Sequence, residues 1–151
     1  MATVEYCELT TLSKTKNSIR LRYKLLEPGF HKLMLHLQLM TKGSESVDGA
    51  PNWQPFLYEI NLDFCRFWKK NRSNHLAKMI FNFIEGHSNL NHSCPFLTED
   101  YFAIEGITNT EISSKIHGLP MAKGFYALYT KWLTENITRI QTNYYFEVLS
   151  V

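Results

Sequence analysis

Apolar and polar residues alternate with a period of two along most of this chain. Ile19, Leu21, Tyr23 and Leu25 are separated by Arg20, Arg22 and Lys24, the pattern of a strand buried on one face and solvated on the other. Leu33, Leu35, Leu37 and Leu39 repeat the spacing, and so do Phe56, Tyr58, Ile60, Leu62 and Phe64. Phe125, Ala127 and Tyr129 oppose Tyr126, Leu128 and Thr130, while Ile140, Thr142, Tyr144, Phe146 and Val148 share one face of a last strand. Two weaker runs, Val4–Leu9 and Tyr101–Ile107, complete the set.

The period changes once. Over Ser73–Ile84 the apolar residues Leu76, Ala77, Ile80, Phe81 and Ile84 fall on one face of a helix, with Ser73 or Asn74 in place to cap it. Turn residues separate the strands. Pro28-Gly29 predicts a short hairpin between the second and third strands, because Pro fixes one φ and Gly supplies a positive one. Gly43 to Gln54 reads as a longer exposed loop. About seven antiparallel strands with one short helix predict an all-β, immunoglobulin-like β-sandwich, since an α/β design needs a helix between each pair of parallel strands. No internal repeat interrupts the pattern, and 151 residues suit a single domain.

Composition adds an interior and a compartment. The chain is 44% apolar and carries 10 Phe, 8 Tyr and 3 Trp, enough bulk to fill a core. A formal charge of +2 is too small to imply nucleic acid, and no run of apolar residues is long enough to span a bilayer. Three N-glycosylation acceptors begin at Asn71, Asn91 and Asn136, and the second lies directly before Cys94. An acceptor beside a cysteine points to a secreted protein with a disulfide, so Cys65 and Cys94 are expected to pair across the predicted helix. Closing a loop of about 30 residues is worth roughly 3–4 kcal/mol in the chain-entropy model.

The stretches around these cysteines, Leu62-Asp63-Phe64-Cys65-Arg66-Phe67 and Asn89-Leu90-Asn91-His92-Ser93-Cys94-Pro95, carry a resemblance. They resemble a large insect family of small secreted proteins, including chemosensory and pheromone-response members, that is related to the ML (lipid-recognition) superfamily. The likeness runs from about Tyr6 to the C-terminus. Leu119-Pro120-Met121-Ala122-Lys123-Gly124-Phe125-Tyr126 is similar to the family's Leu-Pro-x-x-x-Gly-x-Tyr but has Phe125 where an Asp is usual and Ala122 where a second Pro often stands. The resemblance implies a signal peptide and a further cysteine upstream of Cys7. The chain starts without an apolar signal segment and has three cysteines, so it is expected to be N-terminally truncated, with Cys7 left as a free thiol.

Candidate chemistry is sparse. His75, His87, His92 and Cys94 cluster in sequence, but their spacing matches no zinc framework. No G-x-S-x-G elbow or phosphate-cradling glycine loop is present, and the adjacent acids Glu99 and Asp100 are better suited to solvating a loop than to acid–base work. The expectation is therefore a protein that is not an enzyme and needs no cofactor or metal. The resemblance implies a ligand held between two splayed sheets, and Phe56, Tyr58, Leu62, Phe83, Phe96 and Phe102 are the apolar residues proposed to line that space. On this reading the chain is a secreted binding protein for a lipid or other apolar molecule, in chemosensation or lipid handling. The alternative is a secreted accessory protein with a filled core that acts through its surface on a membrane receptor.

Overall fold

The computed structural model of the chain describes residues 2–26, 32–44, 47–70, 75–90, 94–95, 101–116 and 121–149. They form two antiparallel sheets and three short helices, divided between two compact units. The all-β expectation holds, and each of the seven predicted strands is found, most of them longer than read, although the third begins at Met34 and not Leu33 and the fourth stops at Asp63, one residue short of Phe64.

The first unit is built from 1–32 and 64–117. Its sheet runs β1 (Ala2–Thr11), β2 (Asn17–Leu25), β5 (Tyr101–Thr108), in that order. The alternation read in β2 is borne out: Leu21, Tyr23 and Leu25 are buried, while Arg20, Arg22 and Lys24 take the other face. On that outer face Arg20 bridges Glu105 at 3.0 Å and Glu8 at 3.6 Å, and Arg22 Nε lies 2.7 Å from Glu5. Cross-strand pairs of this kind hold the register, because a one-residue slip would turn the leucines outward. At the edge, β1 has no buried residue, and Leu9 is 68% exposed.

Among the described residues, three helices, not one, belong to this unit. The predicted helix is present as α2 (His75–Ile84), and its first two expected residues lie outside the described residues. An additional helix, α1 (Phe64–Lys70), directly follows strand β4 (Trp53–Asp63). Cys65 is therefore a helical residue and does not end a strand. The helix forms because Phe64 and Phe67, three apart, both find cover. Each is buried against Phe81 of α2, with ring centroids 5.5 and 5.3 Å apart, pairs worth about 0.5–1.5 kcal/mol apiece beyond their buried area. The helix face around Phe81 thus packs in part on another helix. Cys65 and Cys94 are disulfide-bonded, with Cα atoms 5.5 Å apart, and Cys7 is an exposed free thiol.

The third helix, α3 (Asn109–Lys115), was absent from the periodicity because Ile112 is its one large aliphatic side chain. It rests on a capping box instead. The Glu111 N–H donates to Thr108 Oγ1 at 3.3 Å, and the Thr108 N–H donates to the Glu111 carboxylate at 2.9 Å. At its other end Lys115 Nζ donates to the carbonyls of Asn82 and Phe83 in the last turn of α2, where a cation suits the helix dipole.

The second unit comprises 33–63 and 118–151. Its sheet has the order β4, β3 (Met34–Lys42), β6 (Gly124–Thr134), β7 (Ile137–Val148). Leu35, Leu37, Ile60, Leu62, Thr130 and Ile140 are buried on one face. The register sets Leu35 opposite Leu62 and Trp132, and Leu37 opposite Ile60 and Thr130. β6 and β7 are joined by a two-residue turn in which Glu135 and Asn136 have φ of 52° and 61°, the conformation whose twist matches a hairpin. Asn136 is exposed there, as a glycan acceptor requires. The hairpin predicted at Pro28-Gly29 does not form, because β2 pairs with β1 and β5 while β3 pairs with β4 and β6. The turn residues themselves lie outside the described residues.

Two outcomes are expected. Thr108→Ala should lower stability by about 1 kcal/mol in urea unfolding, the usual cost of losing an N-cap acceptor. Acid should also destabilise the protein through two carboxylates. The Glu111 carboxyl is held below its ordinary value of 4.5 by hydrogen bonds from the Thr108 backbone and side chain, and that of Glu105 by Tyr6 and then Arg20. A pKa depressed on folding stabilises above the unfolded value and is lost as pH falls through the folded one. Urea midpoints should therefore drop from about pH 5 to about pH 3, and Glu111→Gln should flatten that slope; an unchanged slope would remove Glu111 from the account.

Candidate ligand-binding site

Aromatic side chains gather at one end of the four-stranded sheet, where β3 and β7 finish and β4 and β6 begin. The register places Tyr126 of β6 opposite Phe146 of β7 and Thr41 of β3. Tyr126 is 3% exposed, and its hydroxyl donates to the Ala122 carbonyl at 2.8 Å, so the ring is buried without stranding its polar end. Phe146 stacks on it at 5.8 Å with planes 20° apart and is 36% exposed. Phe56 of β4 meets it edge-on at 5.4 Å. A continuous aromatic surface thus leads from a buried ring to one that meets water.

The opposite face of the sheet carries a second group. Trp53 and Tyr145 stand on the two edge strands, three strand spacings or about 14 Å apart, yet their ring centroids are 5.5 Å apart. They lean together above the strands between them. Met40, Ala127 and Tyr145 are register partners in a row across the sheet. Ala127 is 0% exposed, small enough to leave room above it for rings. Tyr129 adds an edge-on contact with Tyr145 at 6.3 Å, and burial, followed by the hydrogen bond with Tyr145, pushes its phenol pKa up. Lys42 Nζ lies 5.3 Å from the centre of the Phe125 ring.

A different kind of surface occurs on the first unit. An open depression of about 290 Å³ is lined by Arg22, His87, Asn89, Tyr101 and Glu105 among others. Several of its polar groups already have partners. Asn89 joins the Tyr101 carbonyl and the Ala103 N–H, Glu105 is held by Tyr6 and Arg20, and the Arg22 guanidinium sits 3.9 Å from the centre of the Tyr101 ring. His87 is engaged at both ring nitrogens, at 3.1 Å from the Glu105 carbonyl and 3.1 Å from the Glu111 carboxylate. Among the described residues, no three His, Cys, Asp or Glu side chains converge on a point that a metal ion would occupy.

The residues expected to line one apolar space are distributed between the units. Phe56 and Leu62 belong to the four-stranded sheet, Leu62 buried and Phe56 half-buried. Phe102 is buried on β5 and Phe83 half-buried on α2, both in the first unit. Tyr58 lies on β4, but its side chain is outside the described residues, as are Phe96, Asn71 and Asn91 altogether. The alternation overlooked Tyr126 and Phe146 as a pair, and it overlooked Trp53, Tyr129 and Tyr145. One signal was present: Ala127 is a lone small residue within Phe125-Tyr126-Ala127-Leu128-Tyr129.

No helix among the described residues is long and apolar enough to cross a membrane. No curated protein matches the chain. A family model described as "Protein of unknown function (DUF1091)" matches residues 35–128, a span that opens in β3 and closes in β6 and so contains Phe56, Ala127 and Tyr126. With more than half its length covered, the chain belongs to the DUF1091 family of proteins of unknown function.

Proposed function

We propose that this protein is a secreted binding protein that takes an apolar or lipid ligand, and that the ligand's hydrocarbon chain lies along Phe56, Tyr126 and Phe146. The observation that carries the reading is the graded burial of this stack, from Tyr126 at 3% exposed to Phe146 at 36%. A closed core would bury its outermost ring. Here the apolar surface continues to the solvent, which is the arrangement a chain entering from outside needs. Each methylene removed from water would contribute about 0.8 kcal/mol. Ligands bound in this way need neither a nucleophile nor a metal, so the proposed activity is binding and not catalysis. Secretion is supported by the Cys65–Cys94 disulfide and by the exposed acceptor Asn136. Chemosensation and lipid handling are both settings for such a binder.

Protein secreted from insect cells should release a lipid or other apolar molecule on solvent extraction, at about one per chain by native mass spectrometry. Phe146→Asp should reduce retention at least tenfold, roughly the worth of burying one large side chain, while leaving the melting temperature within a few degrees because the ring is partly exposed. Repeated preparations without any bound molecule would contradict the proposal and favour the alternative, an accessory protein acting on a receptor through its surface. Full retention by Phe146→Asp would remove the stack from the site.

A further inference from the structure

Exposed large apolar side chains of the four-stranded unit, Ile137 apart, concentrate at the same end as its aromatic rings. Phe125 is 50% exposed, Tyr145 60% and Leu149 66%. Phe125 is the second residue of β6, and Tyr145 and Leu149 flank the last residues of β7, where the register sets Phe125 opposite Glu147. Trp53 begins β4 beside Lys42 and reaches to Tyr145. A grouped apolar patch of this kind marks a surface that meets something other than water.

Two features indicate what it meets. Beside Phe125 stand Trp53, Tyr129 and Tyr145, each with an apolar body and a polar edge, the side chains that settle at the depth of lipid headgroups. Among the described residues, exposed charges of both signs stand at this end. Lys42 and Lys123 stand against Glu147 and Asp48, all four exposed. That pattern complements a layer in which phosphate and ammonium groups are both present, and it offers a polyanion little. Lys42 moreover stacks on Phe125, so its stem can lie along the apolar surface while the ammonium group stays at the polar layer.

We propose that this end of the four-stranded unit docks on a zwitterionic phospholipid bilayer, with Phe125, Tyr145 and Leu149 entering the headgroup region and Lys42 at its margin. The inference rests on the lipid reading, since a protein that exchanges a lipid has to meet a bilayer. It uses different side chains: Tyr145 adjoins Phe146 in sequence but occupies the opposite face of the strand. Docking here would bring the exposed ring of the proposed ligand stack to the membrane surface.

The test is flotation of the full chain with phosphatidylcholine vesicles, together with quenching of tryptophan emission by brominated phosphatidylcholine. The wild type should float with the vesicles, and Trp53→Phe should lose most of the quenching. The double variant Phe125→Ser, Tyr145→Ser should partition at least about tenfold more weakly, the loss of two partly inserted apolar side chains. Both positions are half or more exposed, and an unchanged melting temperature would confirm an intact fold. Leu9→Ser, equally apolar and exposed but on β1, should stay within about twofold of the wild type. A wild type that stays with the soluble fraction overturns the proposal, even if the patch is found to capture a protein. So does a double variant that floats as well as the wild type. Bound lipid in the purified protein without flotation would overturn the docking surface alone, and flotation of a protein that never carries lipid would overturn the carrier reading alone.

Discussion

To join aromatic residues from its two opposite edges, a sheet needs room above the strands between them. In the four-stranded unit that constraint falls on Ala127, which has no exposed surface and stands in a row with Met40 and Tyr145. Trp53 and Tyr145 meet above the strands that separate them, and Tyr129 closes on Tyr145 from the same side. A larger side chain at position 127 would force these rings apart or off their rotamers, at a cost typical of overpacking of about 1–3 kcal/mol. With the rings gathered on one face, Tyr126, Phe56 and Phe146 occupy the other at the same strand ends. Both aromatic groups depend on the same register of β3, β6 and β7.

The two units use polar groups in different ways. On the three-stranded sheet, Arg20 and Arg22 are tied to Glu8, Glu105 and Glu5 across the strands. His87, Asn89 and the capping box of α3 complete a surface whose groups hold one another. Such a surface sets register and caps helices, and its charges are already engaged. The aromatic end of the four-stranded sheet has little of this. The Tyr126 hydroxyl is satisfied locally by the Ala122 carbonyl, so the stack of Phe56, Tyr126 and Phe146 presents carbon surface. Burial of carbon surface is the main driving force for binding an apolar molecule, and that asymmetry between the units is why the proposed chemistry is assigned to this end.

The strands were legible in the sequence because each buries one face, and a buried face writes a period of two. Ile140, Thr142, Tyr144, Phe146 and Val148 were read as one face, and the register confirms that they are. The α1 helix was hidden because Phe64 continues the alternation of β4 while also starting a spacing of three with Phe67. The α3 helix carries a Thr-x-x-Glu capping signal but lacks an apolar stripe, so periodicity alone passed over it. Pro28-Gly29 indicated a reversal, but turn chemistry does not say which strand the chain joins next. The ring contacts were the hardest to see. Trp53 and Tyr145 are distant in sequence: Trp53 fell within the loop read over Gly43 to Gln54 but opens β4, Tyr145 lies on the face that alternation assigns to solvent, and only the small Ala127 hinted at what lies above it.

The central claim is that the aromatic end of the four-stranded sheet is where the protein meets apolar molecules. Hydrogen–deuterium exchange, with and without added oleate, tests it most directly, because protection reports which backbone is stabilised by the bound chain. The account predicts added protection in peptides covering Gly124–Tyr126 and Tyr144–Leu149, with little change in those covering Gly86–Asn89 and Tyr101–Glu105. Protection confined to the polar depression of the first unit, or none at the aromatic end at saturating oleate, would contradict it.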